Sequence, residues 1–212
     1  MYLIFDTETT GLPKNWKAPL SDSENWPRCV QIAWQIHDLN GDCVSSEDFI
    51  IKPNGYNIPY DSEKIHGIST QLAEEKGEEL SSVLKKFISV IKKSQFVCGH
   101  NVKFDLNIIG AEFLRLGLPN FFEGFAVIDT CTEQTASLCK IPGGRGGKYK
   151  FPTLIELNKF LFNENFDEAH NATADVEATS RCLFELIRTE SISPIVFKDD
   201  KNFYKSVQDN FK

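Results

Sequence analysis

The segment "MYLIFDTETTGLP", residues 1–13, decides how the rest of the chain is read. Tyr2, Leu3, Ile4 and Phe5 form an unbroken apolar run, the mark of a short buried strand. The expected strand, Tyr2 to Asp6, ends by presenting Asp6 and Glu8 one residue apart. Side chains alternate along a strand, so residues i and i+2 point the same way. Two carboxylates on one face, at the rim of an apolar core, repel each other unless something neutralises them. Thr9, Thr10 and Gly11 then read as a turn. A solvated strand end beside a helix cap would carry the same residues, so other acids must decide whether the pair has a task.

At 212 residues the chain is long enough for one well-buried domain with a tail. No stretch approaches the ~20 apolar residues of a membrane span, and no membrane partner is expected. The N-terminus has no basic region or small-residue cleavage site, so a signal peptide is not expected. The six cysteines show neither CxxC spacing nor a Cys/His pattern suited to zinc. They read as reduced thiols in a cytoplasmic protein. A formal net charge of -7 argues against holding nucleic acid by bulk electrostatics. It leaves room for an enzyme whose clustered acids bind metal.

The patterning gives a coarse order of elements. "CVQIAWQIHD" alternates as a strand, and Gly41-Asp42 reads as a hairpin turn into "CVSSEDFIIKP". "SSVLKKFISVIKK" has a helical stripe at residues 83, 84, 87, 88 and 91. A short strand "QFVCG" precedes a helix "FDLNIIGAEFLRLG" that stops at Gly117 and Pro119. "FAVIDT" is another strand; "TLIELNKFLF" and "DVEATSRCLFELIR" are amphipathic helices. An antiparallel meander followed by alternating strands and helices indicates an α/β mixed sheet with helices packed on it. The expected organisation is a domain over 1–190 and a polar tail or linker over 191–212.

Two further segments carry acids where chemistry is placed. In "FVCGHNVKFDLNII", Asp105 falls in the opening turn of a helix that follows a buried strand. That position suits the helix dipole, and it is also the carboxyl end of a strand, where α/β sheets bind ligands. In "EAHNATADVEATSRCLFELI", His170 and Asp175 are five residues apart, which on one continuous helix would separate them by about 140°. They converge only if His170 lies in the lead-in loop and Asp175 inside the helix, with Asn171 or Thr173 as the cap. Asp175 would share a face with Ala172, Thr179 and Cys182, small enough to pack closely on a sheet.

Taken together, Asp6-Thr7-Glu8-Thr9-Thr10-Gly11-Leu12, Asn101-Val102-Lys103-Phe104-Asp105 and His170-Asn171-Ala172-Thr173-Ala174-Asp175 resemble the three motifs of the DEDD exonuclease superfamily, in its histidine-bearing (DEDDh) branch. The motifs stand in family order, and "KIHGIS" at Lys64–Ser69 is similar to a family segment between the first two. The closest resemblance is to the proofreading, epsilon-type exonuclease of bacterial DNA polymerase III. It implies a ribonuclease H-like fold: a five-stranded mixed sheet, one inner strand antiparallel, flanked by helices. It implies 3′–5′ hydrolysis of DNA with two divalent ions, Mg²⁺ or Mn²⁺, as cofactors. Four acids match two dications in charge, and such hard ions favour carboxylate oxygens. By resemblance Asp6, Glu8 and Asp175 hold one ion, Asp6 and Asp105 contact the second, and His170 is the general base on the attacking water.

The resemblance also implies contacts to the terminal nucleotide from Thr9, Gly11 and Leu12, with His66, Asn101 and Phe104 as similar candidates. Implied partners are single-stranded DNA or a frayed primer 3′ end, and the catalytic subunit of DNA polymerase III, fused or separate. A related exoribonuclease, or a non-catalytic assembly module for a polymerase, are the alternative readings. The Gly143–Lys148 loop is no Walker motif, because Pro142 stands in place of the first glycine and Tyr149 in place of Ser/Thr. It reads as a surface loop.

Overall fold

β1 (Tyr2–Thr9) is the middle strand of a five-stranded sheet. β2 (Cys29–His37) and then β3 (Cys43–Ile50) lie on one side of it, β4 (Phe96–Gly99) and then β5 (Ala126–Asp129) on the other. β2 runs antiparallel to both its neighbours, whereas β1, β4 and β5 are parallel. This is the mixed sheet expected, with its one antiparallel strand inside. The computed structural model describes residues 1–119, 121–122, 125–164 and 171–192. Residues 193–212, most of the expected tail, lie outside the described residues, while Ile192 is buried against the sheet's second core.

The apolar run of β1 is continuous because both faces of a central strand are covered. Leu3 and Phe5 pack with Val83 and Phe87 of α3 (Leu80–Ile91) and with Leu106 and Phe113 of α4 (Lys103–Arg115). Tyr2 and Ile4 face the other way, onto Leu157 of α6 (Leu154–Phe162) and Val176 and Leu183 of α7 (Ala172–Arg188). Each such large apolar side chain contributes about 1.5–3 kcal/mol on burial.

β1 extends past the expected Asp6 to Thr9. Its parallel ladder with β4 ends at Ile4↔Cys98, but its antiparallel ladder with β2 continues through Asp6↔Ala33 and Glu8↔Gln31. β2 therefore keeps the acids in strand geometry after β4 has ended. The β2–β3 connection is also longer than a Gly41-Asp42 turn. Asp38 accepts from the N–H groups of Asn40 (2.8 Å) and Asp42 (3.0 Å), so its carboxylate shapes the loop.

Helices α1 (Tyr60–His66), α2 (Thr70–Lys76) and α5 (Glu133–Cys139) were not foreshadowed by the apolar pattern. Each spans seven residues, too short for a repeating stripe, and local caps start two of them. Ser69 accepts from the Leu72 N–H for α2, and Thr132 with Thr135 forms a reciprocal box for α5.

The loop between β1 and β2 is tied down firmly. Leu20 and Trp26 are buried in the core, and Trp26 Nε1 donates to the Pro19 carbonyl at 3.0 Å. Arg115 of α4 donates to the carbonyls of Ser23 and Trp26 at 2.8 and 2.6 Å. Buried Glu112, one turn earlier, accepts from Arg28 Nε (2.9 Å) and the Cys29 N–H (3.0 Å). A buried carboxylate is tolerated there because it is paired and hydrogen-bonded.

Candidate active site

Strand alternation places Asp6 and Glu8 on the same face as Tyr2 and Ile4, the face that α7 covers. Asp175 lies in the first turn of α7. One carboxylate oxygen from each of Asp6, Glu8 and Asp175 lies within 4.8 Å of the other two. The start of α7 is set by two contacts. Asn171 caps it, its side chain accepting from the Thr173 N–H at 3.0 Å. Gln31, the ladder partner of Glu8, accepts from the Ala172 N–H at 3.4 Å and donates to Asp48 at 2.8 Å. The strand opposite Glu8 thus helps place the helix that carries Asp175.

Thr7 points to the opposite face, toward α4. Its N–H and hydroxyl both donate to Asp105 Oδ1, at 3.0 and 2.6 Å. Asp105 is buried, and it lines the same cleft as Asp6, Glu8 and Asp175, a cavity of about 590 Å³. All four acids named from the sequence therefore converge, three as a tight group and the fourth held beside them by Thr7.

Burial and mutual repulsion both disfavour the charged forms of these clustered carboxylates. Burial pushes the Asp6 pKa well above the carboxylate range, and Asp105, Asp175 and Glu8 add to the shift. Burial, then Asp175 and Asp105, push Glu8 up to about 8. Burial also raises Asp105, to about 7, against the opposing pull of the two Thr7 hydrogen bonds.

Three polar residues that sequence reasoning passed over support the cleft, and of these His100 lines it. Asp129, at the end of β5, accepts the N–H groups of Asn101 (2.8 Å), Val102 (3.1 Å) and Cys131 (2.7 Å). These bonds pin the β4–α4 turn, where Asn101 adopts a left-handed φ of 58°. The signal was present: "FAVID" ends a buried run on an acid, as "YLIFD" does. Gln31 is the second, as above. His100 is the third, with Nδ1 2.9 Å from Thr130 Oγ1 and Nε2 3.1 Å from the Pro152 carbonyl. A carbonyl only accepts, so Nε2 carries the proton. Burial pushes the His100 pKa down to about 4, so this ring is a neutral tie between two loops.

The remaining candidates divide into two places. Asn101 and Phe104 line the acidic cleft. Thr9, Gly11, Leu12 and His66 lie beyond it, where β1 runs out. Thr9 Oγ1 donates to the Gly11 carbonyl (2.7 Å), Leu12 is 71% exposed, and His66 Nδ1 accepts from the Ile68 N–H (3.1 Å). Burial lowers the His66 pKa, with the Thr9 carbonyl beside it opposing the shift. His170 lies outside the described residues, immediately before the Asn171 cap.

Residues 3–183 match the RNase_T family, described as Exonuclease. The chain belongs to this exonuclease family. A PolC-type DNA polymerase III of Streptococcus pyogenes serotype M18 is 33% identical over 187 residues, covering 88% of this chain and 11% of that protein. Its counterpart in Listeria welshimeri is 24% identical over 212 residues, 100% of this chain and 13% of that one. The chain thus spans about a tenth of the length of these curated relatives. Among solved structures, E. coli Exonuclease I in complex with a dT13 oligonucleotide aligns with a TM-score of 0.71 at 23% identity, over 93% of this chain and 42% of that one. The ribonuclease H-like exonuclease fold is common to both. Exonucleases of this superfamily are divalent-metal-dependent hydrolases, and the oxygen-only donor set of Asp6, Glu8 and Asp175 suits such an ion. Among the described residues no helix is long and apolar enough to cross a membrane.

Proposed function

We propose that this chain is a 3′–5′ exonuclease that releases nucleoside monophosphates from single-stranded or frayed DNA 3′ ends. The observation that carries the reading is the convergence of Asp6, Glu8 and Asp175 within 4.8 Å, with Asp105 in the same cleft. Asp6, Glu8 and Asp175 would hold one divalent ion, and Asp6 with Asp105 a second, Mg²⁺ or Mn²⁺ in each case. What such ions supply when bound is activation of water and neutralisation of the phosphate's charge.

The protein's own contribution is to place and assist. Thr7 keeps Asp105 oriented, and Asp129 holds the Asn101–Val102 turn that leads into Phe104, with Asn101 and Phe104 both lining the cleft. His170, preceding the α7 cap, takes the proton of the attacking water, a task suited to an imidazole near neutral pH. Thr9, Gly11, Leu12 and His66 meet the terminal nucleotide from the side where β1 ends. A DNA substrate and a proofreading role beside a polymerase, fused or separate, are favoured by the PolC-type relatives. The reading places the protein in the cytoplasm with the replication machinery.

The test uses matched DNA and RNA oligonucleotides labelled at the 5′ end, with Mn²⁺, Mg²⁺ or chelator. Expected is a ladder shortening from the 3′ end on DNA, lost in chelator. His170→Ala should lose about 10²-fold or more in rate while keeping the melting-temperature rise on adding Mn²⁺. Shortening from the 5′ end, or undiminished activity in chelator, overturns the proposal. Preference for RNA transfers it to an exoribonuclease.

A further inference from the structure

The chain has three tryptophans, two of them buried: Trp26 is 3% exposed and Trp34 is fully enclosed, whereas Trp16 is 51% exposed. A single exposed aromatic is ordinary on a protein surface. Trp16 differs in what it touches and in how it is held. Its ring lies 5.8 Å from that of Phe104, tilted by 48°, and Phe104 lines the acidic cleft beside Asp105. The backbone just before it is clamped on both sides. The Asn15 N–H donates to Asn25 Oδ1 at 2.7 Å, and the Asn15 carbonyl accepts from Asn25 Nδ2 at 3.0 Å. Lys17, just after it, donates its N–H to Asn15 Oδ1 at 2.9 Å. The same loop is anchored in the core by Leu20 and Trp26. These bonds fix the backbone on either side of Trp16, whose ring rests against Phe104.

We infer that Trp16 and Phe104 form a continuous stacking ledge for single-stranded nucleic acid, on which Trp16 takes the base preceding the terminal nucleotide. This rests on the exonuclease reading and adds a binding element to it. Base-on-aromatic stacking is sequence-tolerant, because every base presents a π face. It also needs no positive charge, which suits a chain of net charge -7 whose cleft is lined with acids. Phe104 lines the cleft with the carboxylates and Trp16 adjoins Phe104 from outside that lining, so a strand with its 3′ end at the carboxylates would pass Phe104 before Trp16.

The inference is tested by comparing an oligothymidylate with the methyl ester of thymidine 5′-monophosphate, which carries neither a preceding base nor any other ring in its place. Trp16→Ala should raise KM for the oligomer about tenfold, leave kcat within about twofold, and leave hydrolysis of the ester unchanged. Trp16→Phe should recover most of the loss. In chelator, where hydrolysis stops, oligothymidylate should quench the tryptophan emission of the wild type, and Trp16→Phe should abolish that quenching. An unchanged KM for the oligomer, an equal loss on both substrates, or quenching that survives in Trp16→Phe would each overturn the ledge. Hydrolysis of neither substrate by the wild type would instead remove the exonuclease reading, and the quenching experiment would still decide whether Trp16 meets a base.

Discussion

Thr7 and Asp105, 98 residues apart in the chain, are joined by two hydrogen bonds to a single carboxylate oxygen. Asp6 and Glu8 flank Thr7 in sequence but face the other side of the sheet. One three-residue stretch of strand therefore supplies two acids to one face and positions a third acid from the other.

Thr7→Val keeps the shape and the backbone N–H but removes the 2.6 Å hydroxyl bond. A hydrogen bond to a charged group contributes about 1.5–3 kcal/mol, so kcat/KM should fall roughly tenfold or more. The Mn²⁺ concentration needed for half-maximal rate should rise with it. A metal titration of the two proteins checks this; superimposable curves would show that Thr7 does not position Asp105.

Asp6 bears the repulsion of the other three acids as well as its burial. Removing its charge should leave the metal-free protein as stable as wild type or more so, and should remove the metal response and the activity together. Ions that bind only the folded state stabilise it by about 2.7 kcal/mol at a hundredfold excess over Kd. Thermal melts of wild type and Asp6→Asn, each with and without Mn²⁺, give the answer. An equal rise in both would place the metal elsewhere.

The raised pKa values also set the sign of the pH dependence. Glu8 is held at about 8, and Asp105 and Asp129 at about 7, whereas carboxyls in an unfolded chain release their protons near pH 4. Between those limits the folded state binds more protons than the unfolded state, so stability falls as pH rises. The metal-free melting temperature should decline from pH 5 to pH 8, and saturating Mn²⁺ should remove most of that slope. A melting temperature that climbs over this range without metal contradicts the assignment.

Gly99 sits where β4 turns toward α4. A Cβ there would lie 2.8 Å from Val102 Cγ2 and 3.3 Å from the Phe5 carbonyl. Gly99→Ala must push Val102 away, and with it the turn that Asp129 grips. Overpacking of this kind costs about 1–3 kcal/mol, and activity should drop because Asn101, Phe104 and Asp105 follow directly. Calorimetry with an activity assay tests the pair of effects; loss of stability alone would separate the turn from the site.

The sequence by itself determined the strands in chain order and the long helices, and it picked out the four acids that the fold brings to one cleft. Burial writes itself into composition, as in the run Tyr2–Phe5, and acids at the ends of such runs are conspicuous against it. Cap chemistry was legible too, since Asn171 starts α7 as its residue type suggests. Only the tertiary structure decided how the acids meet. The extension of β1 to Thr9 depends on pairing with β2 after β4 has ended, a relation between strands that no local pattern encodes. The seven-residue helices α1, α2 and α5 were hidden because so short a segment takes its stability from what it packs against. Asp129, Gln31 and Trp16 gained their roles from neighbours distant in the chain, because hydrogen bonds and ring contacts depend on proximity in space and not on spacing in sequence.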